Sequence, residues 1–135
     1  MANKRFLLLT ILVLLPLVFP IVVTAEEAPE GYDENTEVTL KGTVRDVVRM
    51  RGPVVLRMAF QDRVYNVVTA PPWFLMRENI SFQQGDELEV TGSKTYGKDG
   101  QIYIIARRLK ELKTGREFPL RNGLCYPLWR GMGNR

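Results

Sequence analysis

Val38-Thr39-Leu40-Lys41-Gly42-Thr43-Val44 alternates apolar and polar side chains, and this stretch decides the fold. Val38, Leu40, Val44 and Val48 share one parity, while Glu37, Thr39, Lys41, Thr43, Arg45 and Arg49 occupy the other. Such a period of two belongs to a strand with one buried and one solvated face. Gly42 falls on the inner parity, where a missing side chain lets a strand bend sharply between two halves of a barrel. Downstream, Arg51-Gly52-Pro53 reads as a turn. Val54, Leu56, Met58 and Phe60 then form a second inward row, with Val55, Arg57 and Ala59 opposite. Gln61-Asp62 connects to a β-branched third strand, Arg63 to Thr69, whose facing the pattern leaves open. Ala70-Pro71-Pro72 stops it, since proline cannot donate to a ladder.

Trp73 to Glu78 suits one or two helical turns with Pro72 as first residue. Gly85-Asp86 opens a fourth strand, with Leu88 and Val90 inward and Glu87, Glu89 and Thr91 outward. Tyr96-Gly97-Lys98-Asp99-Gly100 is a hairpin turn, and Ile102, Ile104 and Ala106 are the last inward row. Three strands, a short helix and two strands is the order of an OB-like barrel, five-stranded and Greek-key; another small barrel or sandwich is the alternative. The predicted class is therefore all-β, with the short helix between strands three and four and a C-terminal hairpin or tail.

Gly85-Asp86-Glu87-Leu88-Glu89-Val90-Thr91-Gly92-Ser93, the preceding Pro72-Trp73-Phe74-Leu75 and the later Ile104-Ile105-Ala106-Arg107 resemble segments of exported bacterial OB-fold proteins. That resemblance spans residues 36–110 and implies a periplasmic binding or stress-related module. It carries no catalytic signature and no residue-level role.

The termini are compositionally distinct. Lys4 and Arg5 precede an apolar run from Phe6 to Val23, interrupted by Thr10, Pro16 and Pro20. Val23-Thr24-Ala25 before Glu26-Glu27 suits signal-peptidase cleavage, so residues 1–25 read as an export signal and the mature chain starts at Glu26. The alternative is an uncleaved N-terminal membrane anchor, because eighteen apolar residues can just span a bilayer. Cleavage lowers the basic residues from 19 to 17 against 15 acids, and the net charge from +4 to +2. After cleavage no stable membrane insertion is expected. Residues 26–35 form a flexible acidic leader, and residues 111–135 a basic hairpin and tail.

With no histidine and one cysteine, the chain excludes His/Cys zinc sites, Ser–His and Cys–His catalysis and any intramolecular disulfide. Glu87 and Glu89 would lie about 7 Å apart on one strand face, but alternation places them in water. Ser93 and Lys94 point to opposite faces and cannot act as nucleophile and base. Asp33, Asn35 and Glu37 lack the spacing and glycine of a calcium loop. Neither an enzyme nor a bound metal or cofactor is expected. Cys125, among Leu124, Tyr126 and Leu128, reads as a buried small side chain, with an intermolecular disulfide as the alternative.

A basic and aromatic constellation remains. Arg49 and Arg51 flank the first loop, Arg57 and Tyr65 (or Arg63) belong to strands two and three, and Lys94, Tyr96 and Lys98 surround the last loop. In an OB barrel these elements enclose the ligand groove, where arginine grips anions and tyrosine stacks. The expected function is an exported, non-enzymatic binding module for a protein, peptide or glycan. A structural accessory of an envelope complex and a single-stranded nucleic-acid binder are the alternatives. In the tail, Asn122-Gly123 favours a tight hairpin. Phe118, Leu120, Leu124, Tyr126, Leu128 and Trp129 are too apolar to be free. The segment is expected to fold onto an open end or edge of the barrel with Trp129 as anchor, or else to bind a partner.

Overall fold

The computed structural model describes residues 31–49 and 51–131. The proposed export signal, residues 1–25, and residues 26–30 of the leader lie outside the described residues. β1 (Glu37–Val48) is shared between two halves of a closed ring. Its first half pairs antiparallel with β4 (Glu87–Tyr96) and its second half with β2 (Val55–Phe60). β2 pairs with β3 (Arg63–Val68), and β4 with β5 (Ile102–Glu111). A three-rung parallel seam, Asn66–Val68 against Tyr103–Ile105, closes the ring. With the short helix α1 (Pro72–Arg77) between β3 and β4, this is the all-β, five-stranded OB-like barrel that the strand order predicts. No helix among the described residues is long and apolar enough to cross a membrane.

The inward rows read from β2, β4 and β5 are the core: Leu56, Met58, Leu88, Val90, Ile104 and Ala106 are all at most 1% exposed. Gly42 sits where β1 changes partners. A Cβ there would stand 2.5 Å from the Ala59 carbonyl oxygen and 2.6 Å from the Phe60 ring. The glycine therefore admits Phe60 into the core as well as allowing the bend.

Two arginines occupy β-bulges that alternation cannot reveal. On β1, Val44 faces Met58 but Asp46 faces Arg57, leaving Arg45 as the extra residue. The parity flips there, so Val47, not Val48, packs against the core. On β5, Thr91 faces Arg108 and Gly92 faces Ala106, so Arg107 is extra and the inward row resumes at Leu109. Thr91, expected in water beside Glu87 and Glu89, is buried, with its hydroxyl 3.0 Å from that of Thr39.

Beyond the ring, β6 (Glu117–Pro119) pairs with Arg108–Lys110 of β5, the part of that edge which β3 leaves open. The Arg107 carbonyl, freed by the bulge, accepts from Leu120 N (2.8 Å) and Arg121 N (3.1 Å). Phe118 and Leu120 are buried and carry the tail onto the barrel, while Trp129 is half-buried with its ring 5.5 Å from that of Phe74 on α1. Leu124 and Tyr126, expected to pack, are instead turned out by the loop that Asn122 closes. The turn differs from the tight Asn122-Gly123 hairpin. It is a wider loop in which Asn122 Oδ1 accepts from Leu124 N and Tyr126 N, and the positive φ of 64° falls at Cys125 rather than at Gly123. The Asn122 side chain closes the loop, so a two-residue turn is not required.

Candidate functional site

Strand register assembles the outer face of β1, β2 and β3. Asp46, Arg57 and Asn66 form one cross-strand row, and Val48, Val55 and Val68 the next. Thr43, Ala59 and Val64 form the row on the other side, with Val64 47% exposed. Arg57 is exposed at the centre of this face. The loop between β1 and β2 carries exposed Arg49 and Arg51, and Gly52 turns it at a φ of 96°. The loop between β4 and β5 presents exposed Tyr96 and Lys98. That second loop is held in shape, since Asp99 accepts from Gln101 N and Tyr103 OH, each at 2.8 Å. Asn66 Nδ2 donates to Gln101 Oε1 at 2.6 Å, tying it to β3.

Tyr65 does not join Arg57 on this face. It stands opposite Met58, on the inner side, with its ring 5.2 Å from that of Phe60. Alternation makes the exchange, because Arg57 is opposite Asn66 and the next residue must face inward. Lys94 goes with Tyr65, its Nζ lying 5.4 Å from the ring centroid. The seven groove residues thus divide. Arg49, Arg51, Arg57, Tyr96 and Lys98 are exposed, whereas Tyr65 and Lys94 form a cation–π pair against the core.

The leader and tail meet in a second constellation that strand pattern did not reveal. Arg107 Nη2 donates to Glu37 Oε1 at 2.7 Å, and Tyr32 OH donates to Glu37 Oε2 at 2.6 Å. Cys125 Sγ donates to Glu34 Oε1 at 3.3 Å, and Arg121 Nη1 to the Cys125 carbonyl at 2.9 Å. The Arg121 guanidinium lies 5.4 Å from the Tyr32 ring and 5.8 Å from the Trp129 ring. Burial, and then the Glu37 carboxylate, push the Tyr32 hydroxyl well above its usual range. Burial and Glu34 likewise raise the Cys125 thiol, and burial lowers Arg121. Asp33 N also donates to Ser93 Oγ (3.1 Å), so the described end of the leader is bonded to β4 where a flexible segment was expected. The segregated charge of acidic leader and basic tail was the available signal.

The remaining candidates have structural partners. Buried Ser93 also meets the Thr36 hydroxyl at 2.8 Å, and Glu89 stands 3.9 Å from Lys41. Asp33 caps a 3-10 turn at Glu34–Thr36 while Glu37 turns to Arg107, so these acids do not converge. Among the described residues no group of three or more His, Cys, Asp or Glu could hold a metal. A cleft of about 270 Å³ separates α1 from β6, with Phe74, Ile80, Phe118 and Leu128 as its apolar lining. Arg116 stands over the Phe118 ring at 4.6 Å there and donates to the Asn79 carbonyl at 3.3 Å.

No curated protein matches the chain. Residues 36–114, more than half of the 135, match the family described as the MamS/MamX magnetosome protein family. The matched span runs from the start of the barrel to just past β5 and stops before β6. The chain belongs to the MamS/MamX magnetosome protein family.

Proposed function

We propose that this protein is a non-enzymatic, exported binding module that serves as an assembly accessory of the magnetosome. It engages a protein or peptide partner through the outer face of β1–β3. Family membership supports the accessory role. Exposed Arg57, at the centre of that face between loops bearing Arg49, Arg51, Tyr96 and Lys98, carries the binding reading. Half-buried Val48 and Val55 on one side of Arg57 and exposed Val64 on the other offer an extended segment shallow apolar seats, and the cations favour a partner rich in carboxylates. A glycan could stack on Tyr96, but Tyr65, the other ring expected in the groove, is turned inward. Single-stranded nucleic acid loses support for the same reason, since its binding relies on exposed aromatic platforms.

Capture from the host's envelope fraction with the protein and with a triple variant, Arg51→Ala/Arg57→Ala/Lys98→Ala, tests this reading. Each of these exposed changes should alter stability by no more than about 0.5 kcal/mol. A partner held by the parent and lost by the triple variant is the expected result. Equal capture by both moves the site elsewhere. A salt series on the captured partner separates the classes, because phosphate contacts give a steep, log-linear fall in affinity. Mass measurement of the host protein should show a chain beginning at Glu26; intact Met1 would replace export by anchoring.

A further inference from the structure

α1 buries Phe74 and Leu75 and turns Trp73 and Met76 outward, at 37% and 79% exposure. The tail loop turns out Leu124 and Tyr126, at 75% and 51%. Trp129 joins the two elements, because its ring packs on Phe74 while Phe74 meets Trp73 edge-on at 6.2 Å. Cations accompany these rings. Half-buried Arg121, already held by the Cys125 carbonyl, lies over Trp129 at 5.8 Å, and exposed Arg130 over Tyr126 at 5.6 Å. Of the eight bases from residue 107 to the end, Arg107 is paired with Glu37, and the acids bordering this face are Glu34 beside Cys125, Glu78 at the end of α1 and Glu117. No polar group of the β1–β3 face takes part.

We infer that this α1–tail face docks peripherally on an anionic lipid bilayer. Two observations favour a bilayer over a protein partner. The apolar side chains project from a short helix and a loop instead of lining a recess, and a fluid interface accepts such projections without a matching surface. Tryptophan, tyrosine and arginine together are also the composition that suits the headgroup region, where rings sit at the boundary and cations meet lipid phosphates. Docking here leaves the barrel intact, because Met76, Leu124 and Tyr126 lie outside the buried core.

The sequence contains two tryptophans, Trp73 and Trp129, and both belong to this face. Their emission reports it even if the apolar run at residues 6–23 anchors the full chain. Full-length protein is titrated with vesicles of phosphatidylcholine containing phosphatidylglycerol, and with phosphatidylcholine alone. Phosphatidylglycerol vesicles should shift the emission to the blue, and brominated acyl chains should quench it; phosphatidylcholine alone should do so weakly. Met76→Ser/Leu124→Ser/Tyr126→Ser should reduce this emission response at least about tenfold at matched lipid concentration. Arg130→Gln, which keeps every apolar group, should lower the preference for phosphatidylglycerol by about fivefold. Unchanged emission with phosphatidylglycerol vesicles, or an equal response from the triple variant, overturns the inference.

Discussion

The barrel and the leader–tail clasp are held by different physics. Around the ring, main-chain ladders and interdigitated apolar rows do the work, and neither responds to pH. In the clasp, Glu37, Tyr32, Arg107, Arg121 and Cys125 are joined by side-chain hydrogen bonds, an ion pair and cation–π contacts. Arg107 belongs to both. Its bulged carbonyl receives the tail while its guanidinium holds the leader. The family match covers the barrel and Arg107 but stops before β6, so the clasp is completed by a tail beyond the matched span. A bulge that costs one ladder rung is thus the attachment point for both ends of the folded unit.

The largest effect should come from Gly42→Val. Its side chain would collide with the Ala59 carbonyl, which as backbone cannot yield, and the folded state should lose about 3 kcal/mol or more. A urea midpoint close to that of the parent would mean that the Ala59 carbonyl and the Phe60 ring do not close on Gly42. Next comes Phe118→Ala, at the border of the two regions. Phe118 is 4% exposed, and its ring meets Phe82 edge-on at 6.5 Å. A loss of about 3 kcal/mol is expected on denaturation. If the variant melts like the parent, β6 is an addition to the barrel and not part of its stability.

Alkaline titration probes the clasp through Tyr32 and Cys125 and should give the smallest change. Tyr32 and Cys125 both titrate above their ordinary values in the folded protein. The native state therefore keeps protons that the unfolded chain releases. The contribution is complete below the unfolded values and is lost as pH rises from them toward the raised folded ones. Urea midpoints measured at about pH 8 and about pH 10.5, on either side of the usual thiol and phenol range, should fall for the parent and fall less for Tyr32→Phe. Equal falls would remove Tyr32 as the titrating group.

Element order, the inward rows of β2, β4 and β5, and the helix starting at Pro72 were legible because each follows a local rule of period or proline geometry. The bulges at Arg45 and Arg107 were not, because an extra residue shows only against its partner strand. That is why Val48 was assigned the place Val47 takes. Of the groove, Arg49, Arg51, Tyr96 and Lys98 are exposed at their loops, whereas Lys94, expected at the last loop, lies on β4 against Tyr65. The inward facing of Tyr65 was not legible because Arg63–Val68 lacks clear alternation. The clasp depends on contacts between residues 70 and 91 positions apart, beyond the reach of any local pattern.

The Cys125–Glu34 contact also has a consequence for protein engineering. Residues 91 apart in the chain lie 3.3 Å apart in space, so the N- and C-terminal segments of the folded unit begin and end side by side. A short linker could join them, and the Lys98–Gly100 turn, where Lys98 and Gly100 are exposed and Asp99 is half-buried, offers new ends. Such a circular permutant would keep all the ring pairings while converting the clasp from a meeting of two distant segments into one continuous loop.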